Sequence, residues 1–234
     1  YNMRERVNKW SVAQWEGVTD EEVIDNIDLL KGNGNSAART LNGSNKEYRE
    51  LIDFCKNNSL KSAENLKYVT DRVDVQNYFD YQIAEIFWAN SDNGNIKYYK
   101  VPGGKWKWIF YDFCWGFQNV EHPSLAARMG DTGLDAACGR LFKSLLKNPE
   151  WKDAFVRRFA QLLNTAFAPE RVTALVDELF GYVQPEIARE REKFNGETFM
   201  GVKQPRENLG SYESFEKEIA NIKKFAEKRP EVIK

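Results

Sequence analysis

The chain has a single histidine, three cysteines and seven prolines in 234 residues, and its formal charge is −1 at pH 7. Cys55, Cys114 and Cys138 are odd in number and far apart, which fits neither a disulfide framework nor a Cys-x-x-Cys metal knuckle. Lys and Arg number 34 against 35 Asp and Glu, so the balance gives no reason to expect a polyanionic partner, and nucleic acid is not one. No apolar run approaches the roughly 20 residues that span a bilayer, so no transmembrane segment is expected in this chain. One Gly-x-Gly stretch, inside Lys31-Gly-Asn-Gly-Asn-Ser36, lacks the Gly-Lys-Ser/Thr ending that cradles phosphate, and it reads as a turn. Internal repeats and low-complexity linkers are also missing. Tyr1 to Val7 alternates like a strand with no initiator Met or signal peptide before it, so a trimmed N-terminus is expected.

Aromatic residues, by contrast, are abundant at 14%, with seven Trp. They imply either a packed aromatic core or exposed rings that stack on ligands, and composition does not separate the two. The length suits one sizeable core or a large piece of a bigger domain.

Element signals follow along the chain. Asn8 to Gln14 is ambiguous, and Thr19-Asp-Glu-Glu22 opens a short helix with acids in its first turn that runs out before Lys31. Ser44-Asn-Lys-Glu47 has capping-box spacing, and a second short helix follows Ser62. Val75, Phe79, Ile83, Ile86 and Phe87 recur every three or four residues, which predicts an amphipathic helix from Asp74 to Ala89. Ile96 to Val101 and Lys105 to Tyr111 alternate around Pro102-Gly103-Gly104, a hairpin signal. Trp106, Trp108 and Phe110 share one side of its second strand and Ile109 and Tyr111 the other, so the hairpin is expected to be buried on both faces. Lys97, Lys105 and Lys107 are expected to point to solvent.

Gln118 to Asp135 is polar and rich in Gly and Pro and reads as a long loop. The rest is helical. Asn148-Pro149 caps and starts one helix; Ala168-Pro169 starts another with an apolar stripe at Val172, Leu175, Val176, Leu179, Phe180 and Val183, kinked at Pro185. After a loop at Gly196 to Gly210, Ser211 opens a last helix with Phe215, Ile219, Ile222 and Phe225 inward. The fold class expected is α+β, mostly helical, with one β-hairpin and an N-terminal strand.

The hairpin carries the chemistry. Asn90-Ser-Asp-Asn-Gly-Asn-Ile-Lys-Tyr-Tyr99 sets Asp92 and Asn95 at its start, and Trp106-Lys-Trp-Ile-Phe-Tyr-Asp112 sets another acid at its end. Phosphoryl transfer needs positioning and charge neutralisation, served in kinases by an Asp at the substrate hydroxyl and an Asn and Asp on magnesium. Magnesium takes oxygen ligands and keeps several waters, so Asn95 and Asp112 suffice for it. By spacing alone the set is common, since Asn-Gly and Asp-Asn pairs are ordinary turn formers. His122, the lone histidine, reads as a solvated loop residue.

Tyr1-Asn-Met-Arg-Glu-Arg-Val-Asn8, Asn26-Ile-Asp-Leu-Leu30, Asp74-Val-Gln-Asn-Tyr-Phe-Asp-Tyr81, Asn95-Ile-Lys-Tyr-Tyr99, Trp106 to Asp112, Leu145-Leu-Lys-Asn-Pro149 and Phe225-Ala-Glu-Lys-Arg-Pro230 together carry a more specific signal. Through them nearly the whole chain resembles the CotH-type spore-coat kinases, in the version common among gut Bacteroidetes. The resemblance implies an atypical protein-kinase-like fold, of which residues 1–234 would be a single partial domain, the C-terminal-lobe portion. It implies ATP and magnesium as cofactors, transfer of phosphate to Ser or Thr of a protein, and a secreted or cell-surface location. Asp92 matches the catalytic Asp, Asn95 and Asp112 the metal-binding pair, and Glu5 lies where the nucleotide-binding hinge is expected. The ATP-gripping lysine would lie upstream of Tyr1, so residues 1–234 alone are expected to hydrolyse no nucleotide. Two departures accompany the match: only Asn93 and Gly94 separate Asp92 from Asn95, where the family has a longer loop, and Cys114 replaces a second acid. They point to the alternatives of a pseudokinase or a surface binding protein on the same scaffold. A sugar platform built from Trp10, Trp15 or Trp115 is a third reading.

Overall fold

Asn8 closes a capping box with Ser11: its side chain accepts from the amides of Trp10 and Ser11, while the Ser11 hydroxyl accepts from the Asn8 amide. That start turns the ambiguous stretch into helix α1 (Lys9–Glu16). The computed structural model describes residues 6–32, 38–91, 94–113, 115–129, 138–193, 198–199, 202–203 and 212–233. The expected strand at Tyr1 to Val7 falls almost wholly outside these. Two compact units form, one of residues 6–116 with 122–160 and one of 117–121 with 161–233.

In the first unit, Asp20 caps the short α2 (Glu21–Asp25) through the amides of Glu22 and Val23. Strands β1 (Asp28–Lys31) and β2 (Arg39–Asn42) then flank the segment read as a turn. Neither strand was expected. Each is only four residues long, and the pairing is interrupted by a bulge between Leu29 and Leu30. Ser44 also differs from expectation: α3 (Lys46–Asn57) starts after Asn45, Ser44 accepts only from the Lys46 amide, and Glu47 turns to Lys100 instead of closing a capping box. After α4 (Ala63–Thr70), the predicted helix is α5 (Val75–Phe87), with Asp74 capping the amide of Asn77.

The hairpin forms as β3 (Lys97–Lys100) and β4 (Lys107–Ile109). The sheet is antiparallel in the order β2-β1-β3-β4, so the hairpin is half of a larger sheet. One face packs Leu29, Tyr99 and Ile109 against Val12, Ala13, Ile24 and Ile27. On the other, Tyr98 lies 4.4 Å from the Tyr48 ring of α3 and Trp108 lies 4.3 Å from Tyr78 of α5, close enough for the tilted contacts that aromatic quadrupoles favour. Trp106 and Trp108 are buried and belong to the core, but Phe110 is 54% exposed. Strand β4 stops at Ile109, so Phe110 lies past the sheet and only partly covered, against Tyr81 and Phe113.

The outer edge of β4 is covered by the chain itself. Trp106 pairs in parallel with Val73, its amide donating to the Arg72 carbonyl and its carbonyl accepting from the Asp74 amide. Asn77 acts as the next partner: its Oδ1 accepts from the Trp108 amide at 2.7 Å and its Nδ2 donates to the Trp108 carbonyl at 3.2 Å.

Helix α6 (Ser124–Met129) interrupts the stretch read as loop, and its 130–137 part lies outside the described residues. Helices α7 (Cys138–Leu146) and α8 (Pro149–Leu163) follow, with the amides of Glu150 and Trp151 donating to Asn148 as expected. Arg158 of α8 grips both oxygens of Asp80 on α5, a bidentate pair.

In the second unit, α9 (Pro169–Val183) runs into a 3-10 turn at Gln184–Glu186 and then α10 (Ile187–Lys193), so the α-helical hydrogen bonding is interrupted at Pro185, where a kink was expected. A two-residue hairpin, β5 (Thr198–Phe199) with β6 (Val202–Lys203), lies in the segment read as loop. The last helix is α11 (Tyr212–Ile233). The apolar stripe of α9 is only partly covered: Val172 is buried, whereas Leu175, Leu179 and Val183 are exposed. Along α11, Phe225 is buried as expected and Phe215 is exposed. Arg229 is buried, donates to the Val120 carbonyl, and its guanidinium pKa is lowered by that burial, opposed by Glu121. No helix among the described residues is long and apolar enough to cross a membrane.

Candidate active site

The register fixes where the hairpin's polar groups emerge. Lys97 stands opposite Ile109, so Asn95, just before β3, and Asp112, just after β4, leave the sheet at the same end. Both are half-buried. Asp92, Glu5 and Cys114 lie outside the described residues.

The backbone around this end is held in sparsely populated conformations. Asp112 has φ +60° and Ala89 φ +53°, left-handed values that cost a residue with a Cβ about 1–3 kcal/mol. Ala89 owes its conformation to the way α5 stops: the Ala89 amide donates to the Ile86 carbonyl and the Asn90 amide to the Glu85 carbonyl, a Schellman ending that glycine usually occupies. Gly116 brings the segment after Asp112 close to this helix end, for a Cβ there would lie 3.1 Å from the Trp88 carbonyl oxygen.

A buried polar cluster secures the same helix end. Oε2 of Glu85 accepts from Asn90 Nδ2 at 3.0 Å and from the Arg128 guanidinium at 2.6 Å, with both side chains of the ion pair below a tenth exposed. Arg128 also reaches Gln82. Thus α6 is pinned to α5, and α5 to the residue two before Asp92. The sequence reading missed Glu85 and Arg128; an acid inside an apolar helix stripe is the signal that marks one of them.

Lys97 is the second surprise. It is 8% exposed, not solvated, and its Nζ sits 3.9 Å from the centre of the Tyr111 ring. Burial pushes its ammonium pKa down, the nearby Lys31 adds to that, and Asp112 opposes it. Lys107 is also partly covered, bonded to both oxygens of Glu16, which accepts from the Tyr99 hydroxyl as well. Lys105 fits the expectation, bonding only a carbonyl in an exposed position. His122 accepts or donates at Nδ1 with Ser124 Oγ, 2.8 Å away, at the start of α6. Trp10, Trp15 and Trp115 are all exposed, and Trp15 tilts against Tyr99.

A family model described as CotH kinase protein matches residues 19–233. The chain belongs to the CotH kinase family. That membership covers nearly the whole sequence, including the hairpin, Asn95 and Asp112. No curated protein and no solved structure matches the chain. Within this CotH-family chain the donors at the hairpin end, a carboxamide and a carboxylate, are hard oxygen ligands of the kind magnesium prefers. Among the described residues, no group of three or more His, Cys, Asp and Glu is arranged to hold a metal.

Proposed function

We propose that this protein transfers the terminal phosphoryl group of ATP to Ser or Thr of a protein substrate, both compact units forming part of one kinase-like domain. Asp92 orients the attacking hydroxyl and takes its proton; Asn95 and Asp112 hold magnesium; Glu5 contacts the nucleotide. Bound there, magnesium supplies neutralisation of the charge that builds on the phosphate oxygens. What supports Asp112 in that role is its position just past strand β4 and its left-handed backbone. The observation that carries the reading is this strained acid, on the same hairpin end as Asn95, inside a CotH family match. A secreted or cell-surface location goes with the same family.

A radiolabel transfer assay on the full-length protein tests it. Asp112→Asn, nearly isosteric but without the charge, is expected to lower incorporation by at least about 10²-fold, the scale of losing one pre-organised electrostatic group. Equal incorporation by wild type and variant removes the activity from these residues.

A second reading, a pseudokinase or binding protein on the same scaffold, is favoured by Cys114 and the short Asp92–Asn95 spacing. Thiolate is a soft ligand and does not replace a carboxylate on magnesium. Calorimetric titration with ATP separates the two: tight binding that requires magnesium counts against the second reading.

A further inference from the structure

The sheet register places three cations side by side. Lys31 pairs with Arg39 on one flank and with Lys97 on the other, so the three side chains share one face of β2, β1 and β3 in a single cross-strand row. Like charges directly opposite one another destabilise a sheet. Elsewhere on the same sheet each lysine has an answer: Lys100 lies 2.5 Å from Glu47, and Lys107 bonds both oxygens of Glu16. Arg39, Lys31 and Lys97 have no carboxylate within bonding distance among the described residues. Lys97 is the most covered of them: its side chain is more than nine-tenths buried. Its ammonium lies over the Tyr111 ring, next to Asp112.

Arg39 is exposed, Lys31 half-buried and Lys97 buried, so the row runs from solvent into the covered face, and three like charges side by side repel one another. We infer that Arg39, Lys31 and Lys97 form a binding site for the phosphate groups of a polyphosphate, entered from the Asp112 end of the hairpin. Resting on the kinase reading, that polyphosphate is the phosphate tail of ATP, which these residues grip in addition to any lysine outside this chain. Inorganic pyrophosphate offers the same chemistry without the nucleoside.

Calorimetric titrations of the protein with ATP, pyrophosphate and adenosine test the inference on wild type, Lys97→Met and Lys31→Gln. ATP and pyrophosphate affinities are expected to fall at least about tenfold in Lys97→Met and several-fold in Lys31→Gln, with the adenosine response unchanged. Lys97→Met should also raise Tm by about 2–4 °C, since it exchanges a desolvated charge for an apolar chain of similar length; a lysine kept for structure would lower it. Pyrophosphate binding that the variants lose, without ATP binding by the wild type, upholds the row and sinks the kinase reading. Unchanged ATP and pyrophosphate affinities in both variants, or no pyrophosphate binding by any form, overturn the row, whatever the kinase assay gives.

Discussion

Helices α1 and α5 stop in the same way and are clamped in the same way, but at different cost. At the end of α1 the amides of Gly17 and Val18 return to the carbonyls of Gln14 and Ala13, and at the end of α5 those of Ala89 and Asn90 return to Ile86 and Glu85. The left-handed position is filled by Gly17 in the first case and by Ala89 in the second. Each end also carries a glutamate: Glu16, a quarter exposed, joins α1 to Lys107 and Tyr99, whereas Glu85, buried, joins α5 to Arg128 and Asn90. The relaxed and wetter version lies toward the hairpin's turn. The strained and dry version leads into Asp92. Strain and buried charge thus meet just before the segment proposed to carry the catalytic Asp92.

The buried clamp should dominate any attempt to equalise the two ends. Arg128→Ala removes the buried Glu85 carboxylate's ion-pair partner and is expected to cost about 3–5 kcal/mol in denaturant unfolding, while the double variant Arg128→Met with Glu85→Met should recover most of that loss. A single variant within about 1 kcal/mol of wild type would show that water reaches Glu85 and that the two clamps are alike.

Exchanging the stop residues comes next in size. Gly17→Ala should destabilise by about 1 kcal/mol, and Ala89→Gly should stabilise by up to about 1 kcal/mol, because only the second exchange relieves a Cβ in the left-handed region. Loss of stability in Ala89→Gly would mean that the buried methyl contributes more than the backbone strain costs.

The smallest effect belongs to Glu16. Burial alone would raise its pKa, but hydrogen bonds from Lys107 and Tyr99 and the Lys107 charge together hold it below the ordinary 4.5. A lowered carboxylate pKa favours the folded state in its ionised form. Its contribution is therefore present above about pH 4.5 and lost as the pH falls through the lowered value. Wild type should be more stable than Glu16→Gln by no more than about 1 kcal/mol at neutral pH, the gap closing in acid; a gap that widens in acid would reverse the sign argued here.

The sequence made α5 and the hairpin legible because each has a long enough period to read, 3.6 residues in one and two in the other. Strands β1 and β2 were not legible: four residues each, one bulged, and flanking a segment whose glycines speak only of a turn. That omission hid the cationic row as well, for Lys97 alternates with apolar neighbours and reads as outward until a second sheet half and α1 cover its face. Asn95 and Asp112 could be picked out because turn chemistry and a hydrophobic strand bring them to one end. Arg128 could not, since its partner Glu85 is 43 positions away and its helix sits in a stretch with loop composition.

Asn77 has a consequence for how the molecule meets others. A sheet edge with open amides and carbonyls is a template on which a second chain can add a strand and aggregate. By offering both halves of its carboxamide to Trp108, Asn77 occupies the hydrogen-bonding groups of that residue as a neighbouring strand would, and the Val73 bridge does the same for Trp106. The two together give β4 the closure that other proteins obtain with an added strand, and withhold its flank from such pairing.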